Sequence, residues 1–143
     1  MQLRRQSMVA VLLAGGLALS ACAKTSESEA SGGGAATLAA VEGTDLQQVT
    51  LTEKAATRLD IQMTAVTGGG DATVIPYASV VYDGEGATWA YTSPEPLTFV
   101  RTPITVASIA GDEARLSAGP DSGTEVVTVG TAELYGAEQG IGQ

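Results

Sequence analysis

VIPYASVVYDGEGATWAYTSPEPLTFVRTPITVASIAGDEARLSAGPDSGTEVVTVG, residues 74–130, decides the fold. Its segments are short, rich in Val, Ile, Thr, Tyr and Trp, and closed by Gly, Pro or Asp, the pattern of consecutive β-strands. Ala78 to Tyr82 and Thr88 to Thr92 flank Asp83-Gly84-Glu85-Gly86, whose Asp-Gly start suits a tight hairpin because its residues accept positive φ. Ser93-Pro94-Glu95-Pro96 breaks the next junction, since proline lacks a backbone donor and turns its predecessor away from helix. Strands are then expected at Leu97 to Arg101, Ile104 to Ile109, Ala114 to Ser117 and Glu125 to Val129, divided by the Gly111-Asp112 turn and the Gly119–Gly123 loop. The expected count is five or six.

Upstream, Asp60 to Thr67 alternates in the manner of a strand, and Gly68-Gly69-Gly70-Asp71 reads as its link to Val74. Thr52 is placed to cap a short helix that has Glu53 in its first turn and Ala55, Ala56 and Leu59 behind it, while Gln48 to Leu51 reads as a strand. The expected fold is therefore all-β: a small β-roll or barrel-like single domain with one short helix, spanning residues 47–137. Trp89, Tyr91, Phe99, Tyr77, Tyr82 and the Val/Ile set are the expected core. Residues 138–143 carry no structural signal and are expected to be a disordered tail.

Residues 22–46 read as a flexible tether. From Ala23 to Ala40 the composition is Ala, Ser, Gly, Thr and Glu apart from Lys24, with Leu38 as the one sizeable apolar side chain, too little burial to offset the entropy of ordering. A coil of about twenty-five such residues spans on the order of 25–30 Å.

The first twenty-one residues read as an export signal. Arg4 and Arg5 precede the uncharged run Met8 to Leu19, which is short for a bilayer span. Gln6-Ser7-Met8 does not continue a twin-arginine motif. The run ends in Leu19-Ser20-Ala21-Cys22, which resembles the lipobox of bacterial lipoproteins at all four positions. The resemblance implies that Cys22 becomes the acylated mature N-terminus and ties the domain to the extracytoplasmic face of the cell membrane. Cys22 is the one cysteine, so no internal disulfide is possible.

Charge narrows the partners. Without Met1 to Ala21, five basic residues (Lys24, Lys54, Arg58, Arg101, Arg115) stand against sixteen acidic ones, a net of −11. Such a surface repels phosphates, so nucleic acid is not an expected partner, and the lipid rather than headgroup contact is expected to do the anchoring.

The residues also bear on catalysis. There is no histidine, and the sole Cys has another use, so a Ser-His-Asp triad, a Cys-His dyad or a His-based metal site cannot be assembled in one chain. Asp83, Glu85, Asp112, Glu113 and Asp121 lie in expected turns, where acids serve backbone hydrogen bonding and solvation, and their spacing does not match a calcium loop. Gly68-Gly69-Gly70 has no following Lys or helix start to make a phosphate loop. Met63 reads as core rather than as a soft-metal thioether ligand, and Trp89 with Tyr91 on one strand face reads as packing rather than a ligand platform. No enzyme activity, cofactor or metal is expected.

From Asp45 to Glu138 the chain resembles the membrane-proximal domain of HlyD-type membrane fusion proteins, the periplasmic adaptor subunits of RND and ABC efflux pumps. The resemblance rests, in order, on Val49–Val66, VTLTEKAATRLDIQMTAV; Ile75–Gly84, IPYASVVYDG; Arg101–Val106, RTPITV; and Leu116–Gly130, LSAGPDSGTEVVTVG. Family members carry a β-barrel domain, a lipoyl-like domain and usually a helical hairpin between the first and second of these pieces. Here Thr67 to Thr73 alone connects them, and no heptad pattern occurs. The resemblance implies an accessory or adaptor-like subunit that docks on an inner-membrane efflux transporter. The alternatives are a free-standing envelope lipoprotein that binds a small ligand or wall component, and, last, a carboxylate-based hydrolase.

Overall fold

The computed structural model describes residues 34–70 and 72–141. The expected signal, Cys22 and most of the expected tether lie outside the described residues.

The fold is all-β, two antiparallel sheets with short helices. The larger sheet contains β1 (Ala36–Ala40), β2 (Gln47–Leu51), β3 (Gln62–Ala65), β6 (Val81–Tyr82), β7 (Thr88–Glu95), β8 (Thr98–Pro103) and β11 (Glu125–Val129). Its order is β1-β2-β8-β7-β11-β3, with β6 beside one end of β7. The smaller sheet runs β4-β5-β10-β9, from β4 (Thr67–Gly69), β5 (Ala72–Pro76), β10 (Glu113–Ala118) and β9 (Thr105–Ala110). The helices are α1 (Glu53–Arg58) and α2 (Thr131–Glu138), and Tyr77–Ser79 form a 3-10 turn.

Two single residues carry the chain between sheets. Val66 joins β3 to β4 and Ile104 joins β8 to β9, and both are buried. Their polar backbone atoms are satisfied by neighbours: the Val66 amide donates to Thr124 O at 2.8 Å and its carbonyl accepts from the Gly123 amide at 2.8 Å. The Ile104 amide donates to Thr88 O at 3.0 Å, and its carbonyl accepts from the Thr88 hydroxyl at 2.8 Å. Buried corners of this kind are tolerated because no donor or acceptor is left orphaned.

Alternation of side chains along β7 and β11 sorts the core into two layers. Tyr91 and Val127 join Val49, Leu51, Ala55, Val81, Phe99 and Leu134 between the large sheet and its helices. Ala90 and Val126, one residue away, join Val66, Ile75, Ile104, Ala114 and Leu116 between the two sheets. β7 and β11 are thus covered on both faces, which accounts for unbroken apolar pairs where a one-sided strand would alternate.

Local chemistry explains the helices and turns. Thr52 Oγ1 accepts from the Ala55 amide at 3.2 Å, with Glu53 and Arg58 placed favourably for the helix dipole, and Ala55 is the residue α1 buries. Gly130, at φ 93°, caps the start of α2 in a backbone conformation that favours glycine, and a Cβ there would also press on the end of the Ile61 side chain.

Several expectations need correction. Residues 36–40 are not tether: they form β1, in register with β2 from Ala36↔Leu51 to Ala40↔Gln47. A strand can be recruited by a backbone ladder with few apolar side chains, and Leu38 also packs against the first core. Residues 68 and 69 are not a linker but β4, paired with β5, and Gly68 at φ 87° would bring a Cβ within 2.7 Å of Ala72 O. Glu138 does not open a disordered tail; it ends α2 and is buried. A second helix accompanies the expected one; the opening stretch holds six whole strands, β6 to β11, together with the end of β5, which begins at Ala72. β7 runs through Pro94 to Glu95, where a register shift against β8 leaves room for a residue without an amide donor. Tyr77 and Tyr82 are exposed at 42% and 50%, and Met63, on edge strand β3, at 44%, so none belongs to the core.

Candidate functional site

The densest polar arrangement lies on the helical face of the large sheet. Tyr91 of β7 and Arg101 of β8 are cross-strand partners and therefore point to the same side. Across that face lies α2, whose Leu134 and Glu138, one turn apart, both point inward. Glu138 accepts two bonds, one oxygen 3.1 Å from Arg101 Nη2 and the other 2.5 Å from the Tyr91 hydroxyl, which donates. The Arg101 guanidinium also stacks over Trp89, 4.4 Å from the ring centroid, and lies 5.5 Å from the Tyr135 centroid. Trp89 Nε1 in turn donates to Asp83 Oδ2 at 2.8 Å.

Electrostatics follow the geometry. Burial, with the Glu138 carboxylate beside it, pushes the Tyr91 hydroxyl far above the ordinary tyrosine range. The Trp89 indole N–H, helped by the amides of Ala87 and Glu85, holds the Asp83 carboxyl below its usual value. A tyrosine held protonated and a carboxylate already accepting from Arg and Tyr form a clasp, not a proton-transfer pair. The clasp fixes α2 to the sheet. Arg101 Nε is buried without a hydrogen-bond partner, and beside it opens a cleft of about 320 Å³ lined by Leu38, Asp45, Gln47 and the end of α2.

The turn carboxylates are dispersed. Asp83 Oδ1 accepts from the amides of Glu85 and Ala87, at 3.0 and 2.8 Å, so this acid organises the β6–β7 turn. Asp112 and Glu113 sit at the β9–β10 turn, and Asp121 in the loop before β11. Among the described residues no group of three or more His, Cys, Asp or Glu could hold a metal ion. Trp89 and Tyr91 share a face, as the strand period requires, with Tyr91 fully buried and Trp89 half-buried beneath Arg101. The Arg101–Glu138 pair carries no sequence motif and is visible only once α2 is folded back on the sheet.

A second group of charged side chains sits where the described chain begins. Lys54 and Arg58, one turn apart on α1, line a cleft of about 380 Å³ with Gly34, Ala35, Thr52 and Ala55. The Thr52 amide donates to Ala35 O at 3.1 Å, which ties α1 to the start of the described chain. Both cations are exposed, and no described residue pairs with either. Among the described residues no helix is long and apolar enough to cross a membrane. No protein-family pattern, no curated protein and no solved structure matches this chain.

Proposed function

We propose that the protein is a lipid-anchored extracytoplasmic module, acylated at Cys22, that acts as an adaptor-like subunit of an RND or ABC efflux transporter by protein–protein docking. The observation that carries the reading is how the chain's two halves are joined. Val49–Val66, the piece that resembles the start of the family's membrane-proximal domain, supplies β2, α1 and β3. The pieces that resemble its return supply the end of β5 with β6, the corner between β8 and β9, and the end of β10 with β11, and the chain's two halves share one sheet: β2 pairs β8, and β3 pairs β11. Family members place their further domains between these halves, which here meet in the β4–β5 hairpin. A hairpin whose two ends lie side by side on the surface is a physically permissive place for such domains to be gained or lost.

The short chain ahead of β1 supports work close to the bilayer. The eleven residues 23–33 separate Cys22 from Gly34, which therefore lies within about 40 Å of the lipid even at full extension.

Crosslinking in the native membrane, followed by identification of what co-purifies with the acylated protein, tests the reading. The expected result is a transporter permease or ATPase, lost when Cys22→Ser releases the chain from the membrane fraction. Recovery of wall components alone, or membrane retention unchanged by Cys22→Ser, overturns it.

A further inference from the structure

We propose that the face carrying Lys54 and Arg58 lies against the bilayer, where the two side chains bind anionic phospholipid headgroups and set the orientation of the domain on its anchor. The inference rests on the acylation of Cys22 and goes beyond it, because a tether alone leaves the domain free to turn any face to the membrane.

Three observations converge on this face. The chain leaves the described domain here: Gly34 and Ala35 line the same cleft as Lys54 and Arg58, and residues 23–33 alone separate that cleft from Cys22. The cations are available, being exposed and without a described partner. The other two basic residues of the described domain are placed elsewhere, Arg101 in the clasp with Glu138 and Arg115 on β10 in the second sheet.

The net charge of the chain argues for repulsion from an anionic surface, but orientation depends on where the charges sit. Of the acids next to the pair in sequence, Glu53 precedes Lys54 and so points about 100° away round the helix. Asp60 lies beyond the end of α1 and accepts from Gln62 Nε2 at 2.8 Å. Acids outnumber the one described cation, Arg115, on the far side: Asp112 and Glu113 border the small sheet, which covers the opposite face of the large one. Repulsion of that side and attraction of this one turn the domain the same way. Each cation near an anionic surface weights the apposed orientation by roughly fivefold, an effect that falls away beyond a Debye length.

The test uses the full-length acylated chain in vesicles of phosphatidylcholine with and without phosphatidylglycerol, bearing a headgroup-attached quencher. A maleimide fluorophore is placed at Thr57→Cys on α1 or at Ala107→Cys on β9, both exposed positions. The expected result is stronger quenching at position 57 than at 107 in phosphatidylglycerol vesicles. That difference should collapse at high salt and in Lys54→Glu/Arg58→Glu, and persist in Arg115→Glu. Equal quenching at the two positions on vesicles that retain the protein overturns the orientation and leaves the anchor standing. Failure to associate with vesicles, with Cys22 of the unsubstituted chain open to maleimide, overturns the anchor and the orientation together.

Discussion

Arg101 in the middle of β8 and Glu138 at the end of α2 form an ion pair at 3.1 Å, with side chains 11% and 3% exposed. The pair is held by a third group, the Tyr91 hydroxyl. Removing one member of a buried pair strands the other, so Glu138→Leu should cost on the order of 3–5 kcal/mol, a large share of a small domain's stability. Replacing all three groups together, with Tyr91→Phe, Arg101→Met and Glu138→Leu, should recover most of the loss, because nothing polar is then left unpaired. Urea unfolding of the single and triple variants checks this.

The same hydroxyl sets the alkaline limb of stability. Tyr91 has its folded-state value raised, so its contribution is intact below the unfolded value near 10 and is lost as pH rises above it, when only the unfolded chain ionises. The limiting slope for one proton is about 1.4 kcal/mol per pH unit. Tyr82, raised by its contact with Tyr77, acts in the same direction. Tyr91→Phe should flatten the decline of unfolding free energy above pH 10, read by denaturant titration across that range.

On the acid side the sign reverses. Asp83 is lowered in the folded state, so its contribution is present above the unfolded value near 4 and disappears as pH falls through the folded one. Asp83→Asn should shallow the acid limb of the stability profile. It should also move Trp89 fluorescence, since the indole N–H loses an ionised acceptor.

Two glycines of one helix should respond oppositely to alanine. Gly130→Ala forces a Cβ onto Ile61 at a positive φ and should destabilise by about 1–3 kcal/mol. Gly136, inside α2, has open space at its Cβ position, so Gly136→Ala should stabilise by about 0.5–1 kcal/mol. Thermal melts of the two variants distinguish the sites.

β1 gives a further check on where the domain starts. Leu38 packs against the first core, so Leu38→Ala should cost about 1–2 kcal/mol; in a solvated tether the change would stay within about 0.5 kcal/mol.

Elements whose signals are local were readable in the chain. Thr52 and Glu53 announce α1, Asp83-Gly84 the β6–β7 turn, and the Val, Ile, Thr and aromatic runs most of the strands. Tyr91 and Phe99 were readable as core for the same reason, a strand period that puts them inside. What escaped depends on distant partners. Ala36–Ala40 becomes a strand because Gln47–Leu51 offers a ladder, and Gly68 is acceptable in one because Ala72 O approaches too closely for any side chain. Thr131–Glu138 carries little apolar periodicity of its own and is held by Leu134, the clasp and packing. Glu138, an acid five residues before Gln143, reads as solvated until Arg101, thirty-seven positions earlier, is brought beneath it.

β7 and β11 serve as a party wall between two rooms: Ala90 and Val126 face one, Tyr91 and Val127 the other. Neither room can be repacked without moving the wall, so a change of volume at Ala90 or Val126 should be felt at Tyr91 and Val127 on the other side.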